Sequence, residues 1–81
     1  MDATTLAVLI NRGTAADLDT AAQALEESGE GVKLHPQILE SAKARISREW
    51  DSVGPKATHA EHRAACRSTC RLVAAATGLE W

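Results

Sequence analysis

The sequence contains no phenylalanine and no tyrosine, and Trp50 and Trp81 are its only large aromatic residues. Its other large apolar residues are leucine, isoleucine and valine, and alanine is the commonest residue. Because strands are enriched in β-branched and aromatic residues while alanine has the highest helix propensity, this composition favours helices. A chain of 81 residues forms one domain at most, with a thin core. We therefore expect residues 1–81 to form a single all-α domain.

We also expect no leader sequence, and the sequence has no long hydrophobic run. Asp2 follows Met1 directly, and the apolar run 6–10 is too short for a signal-peptide core or a membrane span. The two cysteines, Cys66 and Cys70, are therefore expected to be free thiols in a reducing compartment. These features predict a cytoplasmic protein with no membrane partner.

Motifs that would identify an enzyme are absent as well. The chain has no glycine-rich phosphate loop, no carboxylate dyad and no carrier-type serine site. Cys66 and His62 are within reach of each other on one helix face, as a nucleophile and a base would be. A third orienting group and an oxyanion-donating loop are missing from this arrangement. We expect no enzymatic activity and no cofactor.

Capping signals divide the chain into four segments. Thr14 and Thr58 begin capping motifs, Pro36 occupies a favoured first helical position, and Gly29 and Gly78 follow helix ends. These signals predict a compact bundle of four short helices at about 3–12, 15–28, 36–53 and 59–77. The apolar run 6–10 leaves an alternative open, a short N-terminal strand in place of the first helix, paired with residues 32–34.

Both tryptophans are expected to be covered by apolar neighbours. Trp50 falls on the apolar stripe of the third helix with smaller residues, namely Ile38, Leu39, Ala42, Ile46 and Val53. We therefore predict that Trp50 anchors the core. Trp81 follows the last helix, and we expect that tail to fold back onto the bundle.

The last helix carries a row of potential metal ligands, His59, His62, Cys66 and Cys70, at intervals of three, four and four residues. The spacing places them along one side of a helix, and histidine and cysteine are the ligands that zinc prefers. The outer two would lie about 16 Å apart, so at most two neighbours could share one ion. His62 and Cys66 are therefore only weak metal candidates. Burial of Cys66 as a small apolar residue is the favoured interpretation.

Charge is distributed unevenly along the chain. Residues 1–31 contain six acids and one base, and residues 32–81 contain eight bases and five acids. The last helix presents a row of arginines at one-turn spacing, Arg63, Arg67 and Arg71, and the second helix presents the acids Asp19, Glu26 and Glu27. Internal pairing between the two halves is the simplest interpretation. Either row is also a candidate surface for a protein partner, because arginine binds carboxylates through two hydrogen bonds.

Three functional hypotheses remain open. The first is a small, non-enzymatic protein-binding module, a class that includes phage and prophage inhibitors of host machinery, anti-CRISPR proteins among them, and adaptors. Its partner would be another protein, such as a nucleic-acid-binding complex, and a homodimer is left open. The second is a small nucleic-acid-binding transcriptional regulator, which unpaired arginines would favour; the long turn between the second and third helices is unlike a helix-turn-helix. The third is a metal- or thiol-sensing domain that uses His62 and Cys66.

Overall fold

The computed structural model describes residues 2–29 and 35–78, and within them it contains five helices and no strand. These are α1 (Ala3–Arg12), α2 (Ala15–Ser28), α3 (Pro36–Ser52), α4 (His59–Ala65) and α5 (Arg67–Thr77). The all-α class is confirmed. The N-terminal strand alternative is wrong, because the run 6–10 lies inside α1. Residues 32–34, its proposed partner, and Trp81 lie outside the described residues.

Side-chain caps fix the helix starts where the sequence predicted them. The Thr14 hydroxyl accepts a hydrogen bond from the Asp17 amide, and the Asp17 carboxylate accepts one from the Thr14 amide. Thr58 and Glu61 repeat this reciprocal capping box at the start of α4. Each box satisfies amides that the first turn of a helix leaves without partners. The first two predicted ranges match the helices residue for residue, and α3 ends one residue before its predicted limit.

The predicted fourth helix is two helices, so the expected four-helix bundle is a five-helix one. The chain breaks at Cys66, whose φ of −98° and ψ of 2° lie outside the helical range. Its amide donates to the Arg63 carbonyl, one residue short of the α-helical pattern. Its thiol lies 3.7 Å from the Ile46 carbonyl of α3, to which it donates a hydrogen bond. The break therefore coincides with a contact to α3 and divides the row of histidines and cysteines between α4 and α5.

The hydrophobic core lies where α2 packs against α5 and α1 packs against α3. Its buried members are leucine, isoleucine, valine and alanine side chains: Leu6, Ile10, Leu18, Ala21, Ala22, Leu25, Ile38, Ala42, Leu72, Val73 and Ala76. Alanines on α2 and α5 let these helices approach closely. Within α3, only the first half contributes to this cluster, and no residue of α4 is buried.

The prediction that Trp50 anchors the core is wrong. Trp50 is 36% exposed and Val53, one turn further on, is 39% exposed. Trp50 lies in the last turn of α3 and Val53 directly follows that helix, and α4 is among the helices that α3 contacts. The only apolar residues of α4 are alanines, so this helix has no large apolar side chain with which to bury a tryptophan. The apolar stripe of α3 is thus continuous in sequence, but only its first half is buried.

Candidate protein-binding groove

Arg71 of α5 is paired with acids of α2 inside the fold. Its guanidinium donates to both carboxylate oxygens of Glu26, at 2.9 and 3.1 Å, and lies 3.7 Å from the Asp19 carboxylate. This bidentate bond lowers the pKa of Glu26 and raises that of Arg71. Glu27, the third predicted acid, is exposed and accepts a hydrogen bond from Gln23 on its own helix. The internal pairing expected from the uneven charge therefore occurs at Arg71.

Arg63 and Arg67 are different. Both side chains are exposed, and neither forms an ion pair or a hydrogen bond with any residue in 2–29 or 35–78. The break at Cys66 lies between them, so the predicted arginine row is not one continuous ridge. The row is divided into one arginine that holds α5 to α2 and two that are available to another molecule.

Both of these arginines line a groove of about 570 Å³ between the second half of α3 and the α4–α5 junction. The more buried lining residues are apolar or thiol side chains, namely Ile46, Cys66 and Cys70. The exposed ones are Trp50, His59, Ala60, Arg63, Ala64 and Arg67. The groove thus combines an apolar interior with two cationic side chains, and we refer to it as the α3–α4 groove.

Trp50 holds α4 against α3 at this groove. Its ring stacks on that of His62, with centroids 4.5 Å apart and an interplanar angle of 14°, and it meets His59 edge-on at 5.7 Å. The Trp50 carbonyl also accepts a hydrogen bond from Nδ1 of His62 at 2.8 Å. Because a carbonyl oxygen can only accept, His62 carries a proton on Nδ1. One indole therefore organises both histidines of α4 while keeping part of its surface exposed.

The two thiols are kept in their neutral form. Burial raises the pKa of the Cys66 thiol, and the nearby Cys70 and Glu49 raise it further. Burial also raises the pKa of Cys70, with Arg63 opposing part of that effect. A nucleophilic or sensing cysteine needs the opposite shift, because the thiolate is the reactive form. The burial predicted for Cys66 is confirmed, since it is 2% exposed.

The weak metal candidates are not joined by further ligands. Within the described residues, no group of three or more histidine, cysteine, aspartate or glutamate side chains is placed to hold a metal ion. His62 is oriented towards the Trp50 carbonyl and Cys66 towards that of Ile46. His35, the third histidine of the chain, caps α3 by accepting a hydrogen bond from the Gln37 amide. The arrangement gives no support to the metal- or thiol-sensing hypothesis.

A polar network that the sequence did not reveal fixes α3 to its neighbours beside the groove. Arg45 donates to the carbonyls of Ile10, at 3.0 Å, and Gly13, at 2.5 Å, and so caps the end of α1. Its Nε lies 3.5 Å from Glu49, an ionic contact without hydrogen-bond geometry. Glu49 in turn accepts a hydrogen bond from the buried hydroxyl of Thr69 on α5. The four-residue spacing of Arg45 and Glu49 was a readable signal for their pairing, but the links to α1 and α5 depend on tertiary structure.

No protein-family model matches the chain, and no curated protein or solved structure with significant similarity to it was found. None of the helices within 2–29 and 35–78 combines the length and hydropathy needed to cross a bilayer.

Proposed function

We propose that this protein is a small, non-enzymatic protein-binding module that contacts its partner through the α3–α4 groove. The observation that carries the proposal is the placement of an exposed tryptophan and two unpaired arginines around one apolar depression. Tryptophan and arginine are the residue types most enriched among interface hot spots, because each combines a large contact area with directional bonds. An inhibitor that occupies the working surface of a larger complex and an adaptor that joins two proteins would both use such a surface.

The uneven use of apolar side chains supports this function. A domain this small has few large apolar residues, and burying each one adds to a limited stability. Trp50 and Val53 nevertheless remain more than a third exposed at the same end of α3. An apolar surface that a small domain leaves uncovered beside cationic groups is typical of a site that another protein covers.

The groove offers little that catalysis requires. Burial holds Cys66 and Cys70 as neutral thiols, and His62 uses Nδ1 on a backbone carbonyl instead of activating a nucleophile. These features support a binding role over an enzymatic one.

A nucleic-acid-binding regulator is the second candidate, and Arg63 and Arg67 are the observation that favours it. Unpaired arginines next to an exposed tryptophan can bind phosphates and stack on bases. Against this stand the small number of free cations in the groove and the stacking of Trp50 on His62, which occupies one face of the indole. We therefore place it behind protein binding.

Photo-crosslinking from inside the groove separates the two candidates. Ala64 lines the groove and is exposed, so a photoreactive amino acid at this position faces a bound partner. Ala24, exposed on α2 and outside the groove, is the matched control position. In cells of the source organism, we expect one discrete protein adduct from position 64, none from position 24, and no loss of that adduct after nuclease treatment. Identical adducts from both positions, or an adduct that nuclease removes, would contradict the proposal.

A further inference from the structure

The charge of the α3–α4 groove indicates what kind of protein segment enters it. Arg63 and Arg67 are its charged lining groups, and no aspartate or glutamate lines it; Asp51, exposed on α3, lies outside the lining. Glu49 accepts from Thr69 and contacts Arg45, Glu61 accepts from Thr58, and the acids nearest Arg71 are paired with it. Among the described residues, Arg63 and Arg67 are therefore without an ion pair beside an apolar depression.

The interior of the groove accepts apolar groups and offers them no polar anchor. Ile46 and Cys66 line it, and the Cys66 thiol already donates to the Ile46 carbonyl. Sites for small polar ligands instead place several polar groups inside the cavity, where they fix the ligand's orientation. Here the charged groups are exposed arginines, which suits a ligand that inserts an apolar side chain and keeps its charged groups at the surface.

We infer that the occupant of the α3–α4 groove is an acidic peptide segment of a partner protein, which inserts a bulky apolar side chain and binds Arg63 and Arg67 through flanking carboxylates. This inference rests on the proposed function and adds the chemistry of the partner to it. Carboxylates are the protein groups that match the planar guanidinium fork through two hydrogen bonds. Complementary charge also steers the encounter, so binding should weaken as salt rises.

Peptide display followed by a charge swap tests the inference. A library of random peptides is selected on the full chain, and its enriched members are measured against two variants that each reverse two charges. Arg63→Glu with Arg67→Glu reverses the groove, while Arg48→Glu with Lys56→Glu makes the same change at exposed residues outside it. Circular dichroism and the melting temperature confirm that both variants are folded.

We expect enriched peptides to carry acidic residues around a large apolar one. They should bind the control variant as they bind the wild type and bind the groove variant at least about tenfold more weakly. Replacing their acids by lysine should abolish binding to the wild type and restore it to the groove variant. The NMR signals of the Trp50 indole should shift on binding, which locates the peptide.

Several results would overturn the inference. The selection could enrich no peptides, or peptides without acidic residues, or the lysine-substituted peptides could fail to bind the groove variant. Single-stranded DNA or RNA could bind the same arginines more tightly than the peptides do. The chain could also associate with itself in a way that the groove variant abolishes. If Ala64 still crosslinks to a protein while the peptides show no acidic preference, the protein-binding function stands and only the acidic partner is rejected. If Ala64 gives no protein adduct, the proposed function itself fails.

Discussion

The two ends of α3 face different surroundings. Its first half contributes Ile38 and Ala42 to the core shared with α1, α2 and α5, and we call that core the packed region. Its second half carries Trp50, and Val53 directly follows its end; both are partly exposed, and we call this part of the molecule the open end. A bundle of this size can surround only part of a 17-residue helix, so packing is complete at one end and incomplete at the other. The side chains that stay exposed at the open end include a tryptophan and two arginines, residue types that are enriched in protein interfaces.

The largest expected effect contrasts one side chain from each region. Leu72→Ala removes a fully buried side chain of the packed region and should lower the free energy of unfolding by about 2–5 kcal/mol. Trp50→Ala removes a larger but exposed side chain and its stacking on His62, for a loss of about 1–2 kcal/mol. Urea denaturation of both variants measures the difference. If Trp50→Ala is as destabilising as Leu72→Ala, the distinction between the two regions is wrong.

Much of this fold is readable from local sequence signals. Capping boxes at Thr14 and Thr58 and glycines 29 and 78 set helix limits that the structure reproduces, because caps act through residues three or four apart. The break at Cys66 was missed because no glycine or proline marks it. It occurs where the Cys66 thiol contacts the Ile46 carbonyl, twenty residues away in sequence.

The candidate site was less accessible to sequence reasoning. The three arginines share one row in sequence, but Arg71 is paired because α5 packs on the acids of α2, and this pairing depends on tertiary structure. The apolar stripe on α3 continues through Trp50 and so predicts a core position for it, which the structure does not show. The composition of segment 59–65 indicated the contrary, since its only apolar residues are alanines, which are too small to cover an indole.

The next largest effect concerns the network that connects the two regions. Arg45→Met keeps an unbranched apolar stem but leaves the Ile10 and Gly13 carbonyls without their donor and Glu49 without its cation. We expect a loss of about 2–4 kcal/mol, because breaking a largely buried charged network leaves polar groups unsatisfied. Arg48→Met, an exposed neighbour, should change stability by about 0.5 kcal/mol or less. Equal losses in the two variants, measured by urea denaturation, would show that the network does not stabilise the fold.

Cys66 lies at the boundary between the regions and should have an intermediate effect. Cys66→Ala removes a buried sulfur and its hydrogen bond to the Ile46 carbonyl, for a loss of about 1 kcal/mol with helicity unchanged. Cys70→Ala, at a less buried position, is the control and should cost less. Thiol labelling of the native protein gives a second check, since rapid modification of Cys66 would contradict its burial.

The pairing of Glu26 with Arg71 should give a smaller, pH-dependent effect. Arg71 lowers the pKa of Glu26 in the folded state. The bond therefore stabilises the protein at pH values above the pKa of a glutamate in the unfolded chain, about 4.3. That stabilisation is lost as the pH falls through the lowered folded-state pKa. The gap in unfolding free energy between the wild type and Glu26→Gln should therefore be widest at neutral pH and close in acid. Glu40→Gln, at an exposed acid with no ion pair among the described residues, is the control and should show no such trend. If the gap between the wild type and Glu26→Gln widens in acid, the pKa of Glu26 is raised in the folded state and not lowered.

The smallest effect on stability should accompany the largest effect on function. Arg63 and Arg67 form no ion pair within the described residues. Reversing both charges should therefore leave the melting temperature within about 3 °C of the wild type. The most direct measurement is the affinity of the partner, identified by crosslinking at Ala64, for Arg63→Glu with Arg67→Glu against Arg48→Glu with Lys56→Glu. We expect the groove variant to lose partner binding by about tenfold or more while the control variant binds like the wild type. Equal affinity of the two folded variants for the partner would contradict the assignment of the open end as the binding surface.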